Sequence, residues 1–456
     1  MVRVRFAPSP TGNLHVGNGR TAVLNYLFAR HNRGRFILRI EDTDLERSET
    51  LFEDAILDDL RWLGLTPDEG PYRQSERLDI YRTYAGKLLD KGLAYKCFCS
   101  KEELEKARAH AQLLKIPPRY SRNCRNLSAE TVRGLEARGL PFVLRFKSLE
   151  RKIAFRDVIH GEMEFPADHV DDFIIMRADG VASYNFAAAV DDLLMDVTHV
   201  VRGSDHLSNT PKQIMLFLAF GHEPPAYAHH SLLMGGDRKP LSKRHGATTV
   251  AEFRALGILP EAMMNYLAII GRKTESEFMG SDSLRETFSL ESFSSSDVLF
   301  DMEKLLWLNK EHMRAMDPGA LAERMGLPET DREKVAIVRE NARTLSEMRP
   351  LLAIFDSGDV EEEGASFLSS LKDKRQIAAL LARIAEGNHN DFERLFKELE
   401  EGSTLSKKEL FMLLRIAISG RKKGPPLKDL YRLVPKDHLR ERIAWLEQRF
   451  SAPLDA

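Results

Sequence analysis

Cysteine is scarce: Cys97, Cys99 and Cys124 are the three in 456 residues. So few thiols exclude a disulfide framework and agree with a reducing compartment. Long apolar runs are missing too. None reaches the length needed to cross a bilayer, and Arg3 and Arg5 interrupt any signal-peptide core, so a cytoplasmic location is expected. Charge of one sign is lacking as well, since 67 Lys and Arg stand against 69 Asp and Glu, a formal net charge of −2. That sum does not announce a nucleic-acid partner, although binding depends on where charges lie and not on their total. Basic clusters do occur, as at Arg421-Lys422-Lys423 with Lys428, Arg432 and Lys436, and acidic runs such as Glu361-Glu362-Glu363 balance them. Taken singly, each reads as a solvated helix face. Internal repeats and long low-complexity segments are absent. What is present, 43% hydrophobic and 30% charged residues, fits a globular protein of about three domains.

The chain is organised around its first forty-four residues. Val2 to Phe6 alternates apolar and basic residues as a short strand would, and Pro8-Ser9-Pro10-Thr11-Gly12-Asn13-Leu14-His15-Val16-Gly17-Asn18 stops it in a tight loop. Ala22, Val23, Leu27 and Phe28 then repeat at helical steps, predicting an amphipathic helix over Gly19 to Arg30. Strand, small-residue loop and helix N-terminus make an anion site, because unpaired backbone N–H groups and the positive end of the helix dipole face the loop. A phosphate is the expected guest. The spacing matches neither the phosphate loop that ends in Gly-Lys-Ser/Thr nor a dinucleotide GxGxxG. His15 can donate to a phosphate, and Gly17 lets a nucleotide approach the backbone. The plainer alternative is a proline-rich turn before a surface helix.

Arg35 to Ile40 reads as a second strand, which puts Glu41 at its C-terminal end, where open α/β sheets hold ligands. Phe52, Ile56, Leu60 and Leu63 make a helical stripe ending at Gly64, and another helix runs from Leu78 to Lys91. This order argues for a parallel sheet with helices on its faces. The stretch from Ala94 to Phe165 breaks the rhythm and holds all three thiols, a grouping that suggests three ligands of a tetrahedral zinc site; the alternative is three reduced, buried structural cysteines. From Asp171 the α/β rhythm resumes, with an apolar run at Phe173 to Met176, a helical one at Ala187 to Met195, and a strand at His199 to Arg202. The last 200 or so residues are helical in pattern. Val250 to Gly271, Ala336 to Phe355, Lys372 to Ala385 and Lys407 to Ile418 each carry apolar residues at helical steps.

The run PSPTGNLHVGN resembles the first nucleotide motif, HIGH, of class I aminoacyl-tRNA synthetases. Arg3 to Ser48, with Ile40-Glu41-Asp42-Thr43-Asp44 and Arg47, looks like bacterial-type glutamyl-tRNA synthetase in particular. Gly235-Gly236-Asp237-Arg238-Lys239-Pro240-Leu241-Ser242-Lys243-Arg244-His245-Gly246 is similar to the second motif, KMSKS, with Pro240 where the first lysine would stand. Gln74-Ser75-Glu76-Arg77, Phe300 to Asn309 and the Gly420-to-Pro426 turn extend the likeness over most of the chain.

The resemblance implies a Rossmann-like catalytic domain split by an inserted α+β acceptor-end domain and followed by all-α anticodon-binding domains. In residues this gives 1–93 and 171–249 for the catalytic halves, 94–170 for the insertion, 250–316 for a stem-contact segment and 317–456 for the anticodon domain. It implies ATP with Mg²⁺ at Pro8, Ser9, Gly12, His15, Gly17, Asn18, Ser242, Lys243 and Arg244, with His15 and Lys243 catalytic. Lys243 would stabilise charge growing on the leaving phosphates. Glutamate presents two carboxylates and an ammonium, so its site needs two cationic forks and an anion. Arg5 and Arg202 supply the forks and Glu41 the anion; Ala7, Ser9 and Tyr184 complete the contacts by carry-over from the family. For Arg5 alone the plainer reading is a surface salt bridge. Asp44 and Arg47 would touch tRNA. Some relatives carry a zinc-binding histidine where Asn126 stands here, and related enzymes use Tyr-x-x-x-Cys, which makes Tyr120 the candidate fourth ligand beside Cys97, Cys99 and Cys124. The implied reaction joins L-glutamate to tRNA(Glu), with tRNA(Gln) as a possible second substrate, in a monomer. Rival readings are a glutamyl-queuosine-type enzyme, against which the helical tail speaks, a generic nucleotidylyltransferase, and a catalytically silent paralogue.

Overall fold

The computed structural model describes residues 1–43, 50–115, 119–387 and 391–451, and of Asp168, Lys243, Phe450 and Ser451 the backbone alone. Residues group into two compact units, one of Met1–Phe253 with Met264–Asp301 and one of Arg254–Met263 with Met302 onward. The expected tRNA contacts Asp44 and Arg47 lie outside the described residues.

In the first unit, β1 (Arg3–Phe6), β2 (Arg35–Ile40) and β3 (Glu69–Arg73) form a parallel sheet in the order β1-β2-β3. Val4, Phe6, Phe36, Ile37, Leu38 and Ile40 are buried, as strands covered on both faces require. Helices α1 (Val16–His31), α2 (Thr50–Trp62) and α3 (Leu78–Asp90) supply the covering layers. The first begins three residues earlier than its apolar repeat predicts, because His15 caps it: the His15 side chain accepts the Gly17 N–H. Next come β4 (Ala94–Cys97), helices α4 (Lys101–Leu113) and α5 (Ala129–Ala137), then β5 (Val143–Phe146), β6 (Ile153–Asp157), β7 (Gly161–Phe165) and β8 (Phe173–Met176).

The run Phe173 to Met176, read from its sequence as the return of the α/β rhythm, instead pairs antiparallel with β5 in a sheet ordered β4-β5-β8. An apolar run of four residues fixes a strand but not its partner. After α6 (Tyr184–Leu194), strands β9 (His199–Gly203) and β10 (Ala226–His230), joined through α7 (Thr210–Phe220), complete a third sheet, ordered β7-β6-β10-β9. Its β9, β10 and β6 are parallel and only β7 is antiparallel. The Thr198 N–H donates to the Arg3 carbonyl at 2.9 Å, which lays the β9 end of this sheet beside β1.

In the second unit helices dominate. Met302–Ala315, Pro318–Arg324, Lys374–Glu386, Phe392–Glu401, Lys407–Ser419 and Lys436–Ser451 are among them. Along the chain as a whole, two helical stretches, only the second of them wholly in this unit, are broken where the sequence pattern runs on. Val250 to Gly271 is two helices, Val250–Ala255 and Pro260–Ile269, parted at Gly257, whose φ of +82° no helix accommodates. Ala336 to Phe355 is divided at Ala342–Thr344: Ala342 is extended, and Thr344 caps a new helix, Leu345–Leu352, by accepting the Glu347 N–H at 3.1 Å. A hydroxyl that competes for backbone donors ends one helix and starts the next.

Candidate active site

The loop after β1 and the C-terminal ends of β2 and β9 enclose a cavity of about 360 Å³. Arg5, Ala7, Pro8, Ser9, His15, Gly17, Asn18, Glu41, Tyr184 and Arg202 all line it. Gly12 does not; a side chain there would meet open space. His15 Nδ1 accepts the Gly17 N–H at 3.1 Å, so the ring proton sits on Nε2. Burial lowers the affinity of His15 for a second proton, opposed by a hydrogen bond to the Leu241 backbone and by Glu252.

That contact with Leu241 brings the second motif to the first. His15 and Thr249 form an antiparallel bridge, the Val16 N–H donates to the Thr248 carbonyl at 2.8 Å, and the Val250 N–H donates to Leu14 at 2.9 Å. The loop holding Lys243 is tied to itself. The Leu241 N–H donates to Leu233 at 3.0 Å, and Asp237 accepts the Lys239 N–H at 3.0 Å, His245 Nε2–H at 3.0 Å and the Arg244 guanidinium at 2.8 Å. His245 Nδ1 accepts the Ser242 N–H at 3.1 Å. A Cβ at Gly235 would stand 2.5 Å from His245 Nε2, so this glycine is what lets the imidazole reach Asp237. Lys243 opens the short 3-10 turn Lys243–His245; Ser242 and Arg244 lie outside the cavity wall, and Lys239, next to Pro240, is exposed.

The amino-acid end of the cavity rests on charges that sequence reasoning missed. Arg39, fully buried near the C-terminal end of β2, donates to Asp192 Oδ1 at 2.7 Å and to Glu41 Oε1 at 3.0 Å. Arg5 donates to the same Asp192 through Nε at 3.0 Å and Nη2 at 3.4 Å. Arg5 is therefore no surface salt bridge: two of its nitrogens are already committed inside the protein. Burial would raise the Asp192 carboxyl, but Arg5 and Arg39 outweigh it and hold it below the usual range. For Glu41, burial prevails over the same two arginines and its affinity for a proton is raised. The neighbouring Asp191 accepts from Tyr81 at 2.7 Å, Arg77 at 2.8 Å and Gln74 at 2.9 Å, fastening α6 to α3 and to the turn before it. Tyr184, at the start of α6, pairs its hydroxyl with His206 Nδ1 at 3.1 Å. A signal for these residues existed. Arg39 interrupts the apolar run Phe36 to Ile40, and Asp191-Asp192 closes the run Phe186 to Val190.

Arg202 is anchored without a carboxylate, by Thr210 Oγ1 at 2.8 Å and His229 Nε2 at 3.1 Å. Its Nη1 is buried and, among the described residues, has no hydrogen-bond partner. An unsatisfied guanidinium nitrogen beside a polar cavity is costly unless a ligand completes it.

Outside the cavity, the Sγ atoms of Cys97, Cys99 and Cys124 lie within 4.8 Å of one another. The Tyr120 hydroxyl is 3.1 Å from Cys97 Sγ and 3.5 Å from Cys99 Sγ. Burial, reinforced by Cys124 and Cys97, pushes the Cys99 thiol up to about 12. Cys97 is lowered, because hydrogen bonds from Tyr120 and the Cys99 backbone and the nearby Arg145 overcome its burial. Arg145 also stacks on the Tyr120 ring at 3.9 Å. Three soft donors and a phenol oxygen at these separations fit a tetrahedral ion.

A parallel sheet carrying a His15 loop at a helix N-terminus, with a second basic loop folded against it, defines a class I tRNA synthetase. Residues 1–307 match the catalytic domain of class I tRNA synthetases (E and Q), residues 301–445 match an anticodon binding domain, and the chain belongs to that family. Within it, the chain is similar to glutamate–tRNA ligases. That of Aquifex aeolicus is 43% identical, over 99% of this chain and 99% of its own, and that of Carboxydothermus hydrogenoformans is 41% identical, over 97% and 99%. The crystal structure of a glutamate tRNA ligase from Elizabethkingia meningosepticum in complex with its amino acid superimposes with a TM-score of 0.86 at 30% identity, covering 98% of this chain and 99% of that one. The activity is ATP-dependent ligation of glutamate to tRNA.

Proposed function

We propose that glutamate and MgATP react in the 360 Å³ cavity, with the unpartnered Nη1 of Arg202 as the observation that carries the assignment. Arg202 takes one substrate carboxylate and Arg5 the other, while Glu41 takes the ammonium; Ser9, the Ala7 backbone and Tyr184 complete the hydrogen bonds. ATP lies along Pro8, Ser9, Gly17 and Asn18, with Gly12 turning the loop and His15 Nε2–H on a phosphate. Ser242, Lys243 and Arg244 reach the triphosphate from the other loop. A glutamate carboxylate oxygen attacks the α-phosphorus, the bond to the bridging oxygen breaks, and pyrophosphate leaves. A terminal ribose hydroxyl of the tRNA then attacks the acyl carbon, and AMP departs. Mg²⁺ arrives with the triphosphate and offsets its charge. Asp44 and Arg47 contact the tRNA, residues 94–170 its acceptor end, 250–316 its stem and 317–456 its anticodon.

Replacing Arg202 with alanine is expected to raise the glutamate KM by about 10- to 100-fold, the worth of a charge-assisted hydrogen bond to a buried partner, and to leave the ATP KM alone. Pyrophosphate exchange in the presence of tRNA measures both. Equal defects for ATP and glutamate would count against the assignment. Running the charging assay on tRNA(Gln) as well as tRNA(Glu) tests the second substrate, which belongs to the same proposal, as do a monomeric state and a cytoplasmic location.

The thiol cluster completes the proposal as a structural zinc site. Cys97, Cys99, Cys124 and Tyr120 would hold the ion, which would clip the end of β4 to the segment around Cys124. About one zinc per chain is expected by metal analysis, with a lower melting temperature after chelation. A ratio near zero would end the claim.

A further inference from the structure

Arg5 and Arg202 line the same cavity but are held by opposite means. Arg5 donates to a carboxylate, that of Asp192, and much of its charge is spent there. Arg202 faces two neutral acceptors. On the adjoining strand of the β9–β10 pair His229 stands opposite Arg202, and its Nε2 accepts Arg202 Nε–H at 3.1 Å. Thr210 Oγ1 accepts Arg202 Nη2–H at 2.8 Å and lies 3.0 Å from the same Nε2.

The other ring nitrogen decides which way His229 is wired. His229 Nδ1 is 2.6 Å from Asp157 Oδ2. Asp157 also accepts the backbone N–H groups of Ile159 and His160, each at 2.9 Å, and of His229 itself at 3.1 Å. So many donors suit only an ionised carboxylate. They hold Asp157 below the usual range although burial alone would raise it. Burial drives His229 down to about 4, which leaves the ring neutral with a single proton. With that proton on Nδ1, Asp157 accepts from Nδ1–H, and the Nε2 lone pair faces the Arg202 N–H and the Thr210 hydroxyl. In the other tautomer an N–H would meet the N–H of Arg202. Asp157, Thr210 and His229 are wholly buried and Arg202 is 4% exposed, so a mismatch there is costly.

We infer that His229, its tautomer fixed by Asp157, is a positioning residue that holds the Arg202 guanidinium in place without neutralising it, and so sets the affinity of the site for the substrate carboxylate. The inference rests on the reading that Arg202 grips glutamate. Asp157 ends β6 at the turn into β7, so one chain of hydrogen bonds runs from that hairpin to the pocket arginine.

Two variants of one residue separate this role from simple core filling. Gln at position 229 can set its carbonyl oxygen where Nε2 was and keep the acceptor for Arg202, whereas Asn reaches only the Nδ1 position and keeps the donor to Asp157. His229→Asn is expected to raise the glutamate KM about 10-fold or more, with His229→Gln close to wild type and the ATP KM unchanged in both. Equal glutamate KM values in the two variants, or values that follow melting temperature, would overturn the positioning role. Arg202→Ala in the same assay keeps the two readings apart. If it leaves the glutamate KM unchanged, the pocket assignment fails; if it raises KM while His229→Asn does not, only the role of His229 fails. Side-chain nitrogen NMR of the unmutated protein adds a readout that needs no variant to fold: Nδ1 protonated and Nε2 bare is expected, and the reverse tautomer would overturn the inference.

Discussion

Exchange of Lys243 for alanine is expected to cut glutamate- and tRNA-dependent ATP–pyrophosphate exchange by about 10²- to 10³-fold, the cost of removing one preorganised group from a developing anion, while tRNA binding stays near wild type. The expectation rests on where the loop sits. Leu241 meets His15, Thr248 and Thr249 bond to the segment that begins α1, and the turn Lys243–His245 lies between them. On the proposed reading an ammonium carried on that turn serves the leaving phosphates, so its loss is expected to lower the rate of adenylate formation without disturbing distant tRNA contacts. The loop is also pre-shaped, by Asp237 and His245, so the backbone around position 243 survives the substitution. Exchange at the wild-type rate would remove Lys243 from the chemistry.

Asp192→Ala is expected to be the most damaging single change to stability, about 3–5 kcal/mol, as for breaking one side of a buried ion pair. Asp192 is the shared partner of Arg5 and Arg39, which are 4% and 0% exposed. Without it both guanidiniums stay buried, with Glu41 and Asp191 the remaining close carboxylates for Arg39. Arg5 would also lose its orientation, so glutamate affinity should fall together with the melting temperature. Calorimetry of the variant checks the first effect, and a melting temperature within a degree or two of wild type would refute it. The pH sign follows from the direction of the shift: the Asp192 carboxyl is held below its unfolded value, so its contribution is present above that value and is lost as pH falls through the depressed one. The variant should therefore differ least from wild type in acid.

The first nucleotide loop and the strand that launches it were legible because they are announced locally, by prolines and glycines ending an apolar run, whereas the second loop was legible only through its likeness to the KMSKS motif. Arg35–Ile40 falls as the pattern predicts, and α3 starts at Leu78 as predicted. What escaped was pairing at a distance. The apolar run Phe173 to Met176 reads the same whichever sheet it joins, and only contact with β5 decides. Arg39, Asp192, His229 and Asp157 look like isolated polar residues in four separate segments; their meaning comes from being neighbours, which no window of sequence contains. The broken helices fail for a different reason: apolar periodicity continues across Ala342–Thr344, and a single capping hydroxyl overrides it.

The hydrogen bonds between Arg3 and Thr198, 195 residues apart, also bear on the order of assembly. During synthesis β1 can pair with β2 early, but its opposite edge has no neighbour until the ribosome has delivered nearly half the chain. The emerging N-terminal half thus carries an open strand edge flanked by apolar residues for tens of seconds at ordinary elongation rates of about 5–20 residues per second. Nascent chains that end before residue 198 keep that edge of β1 unpaired.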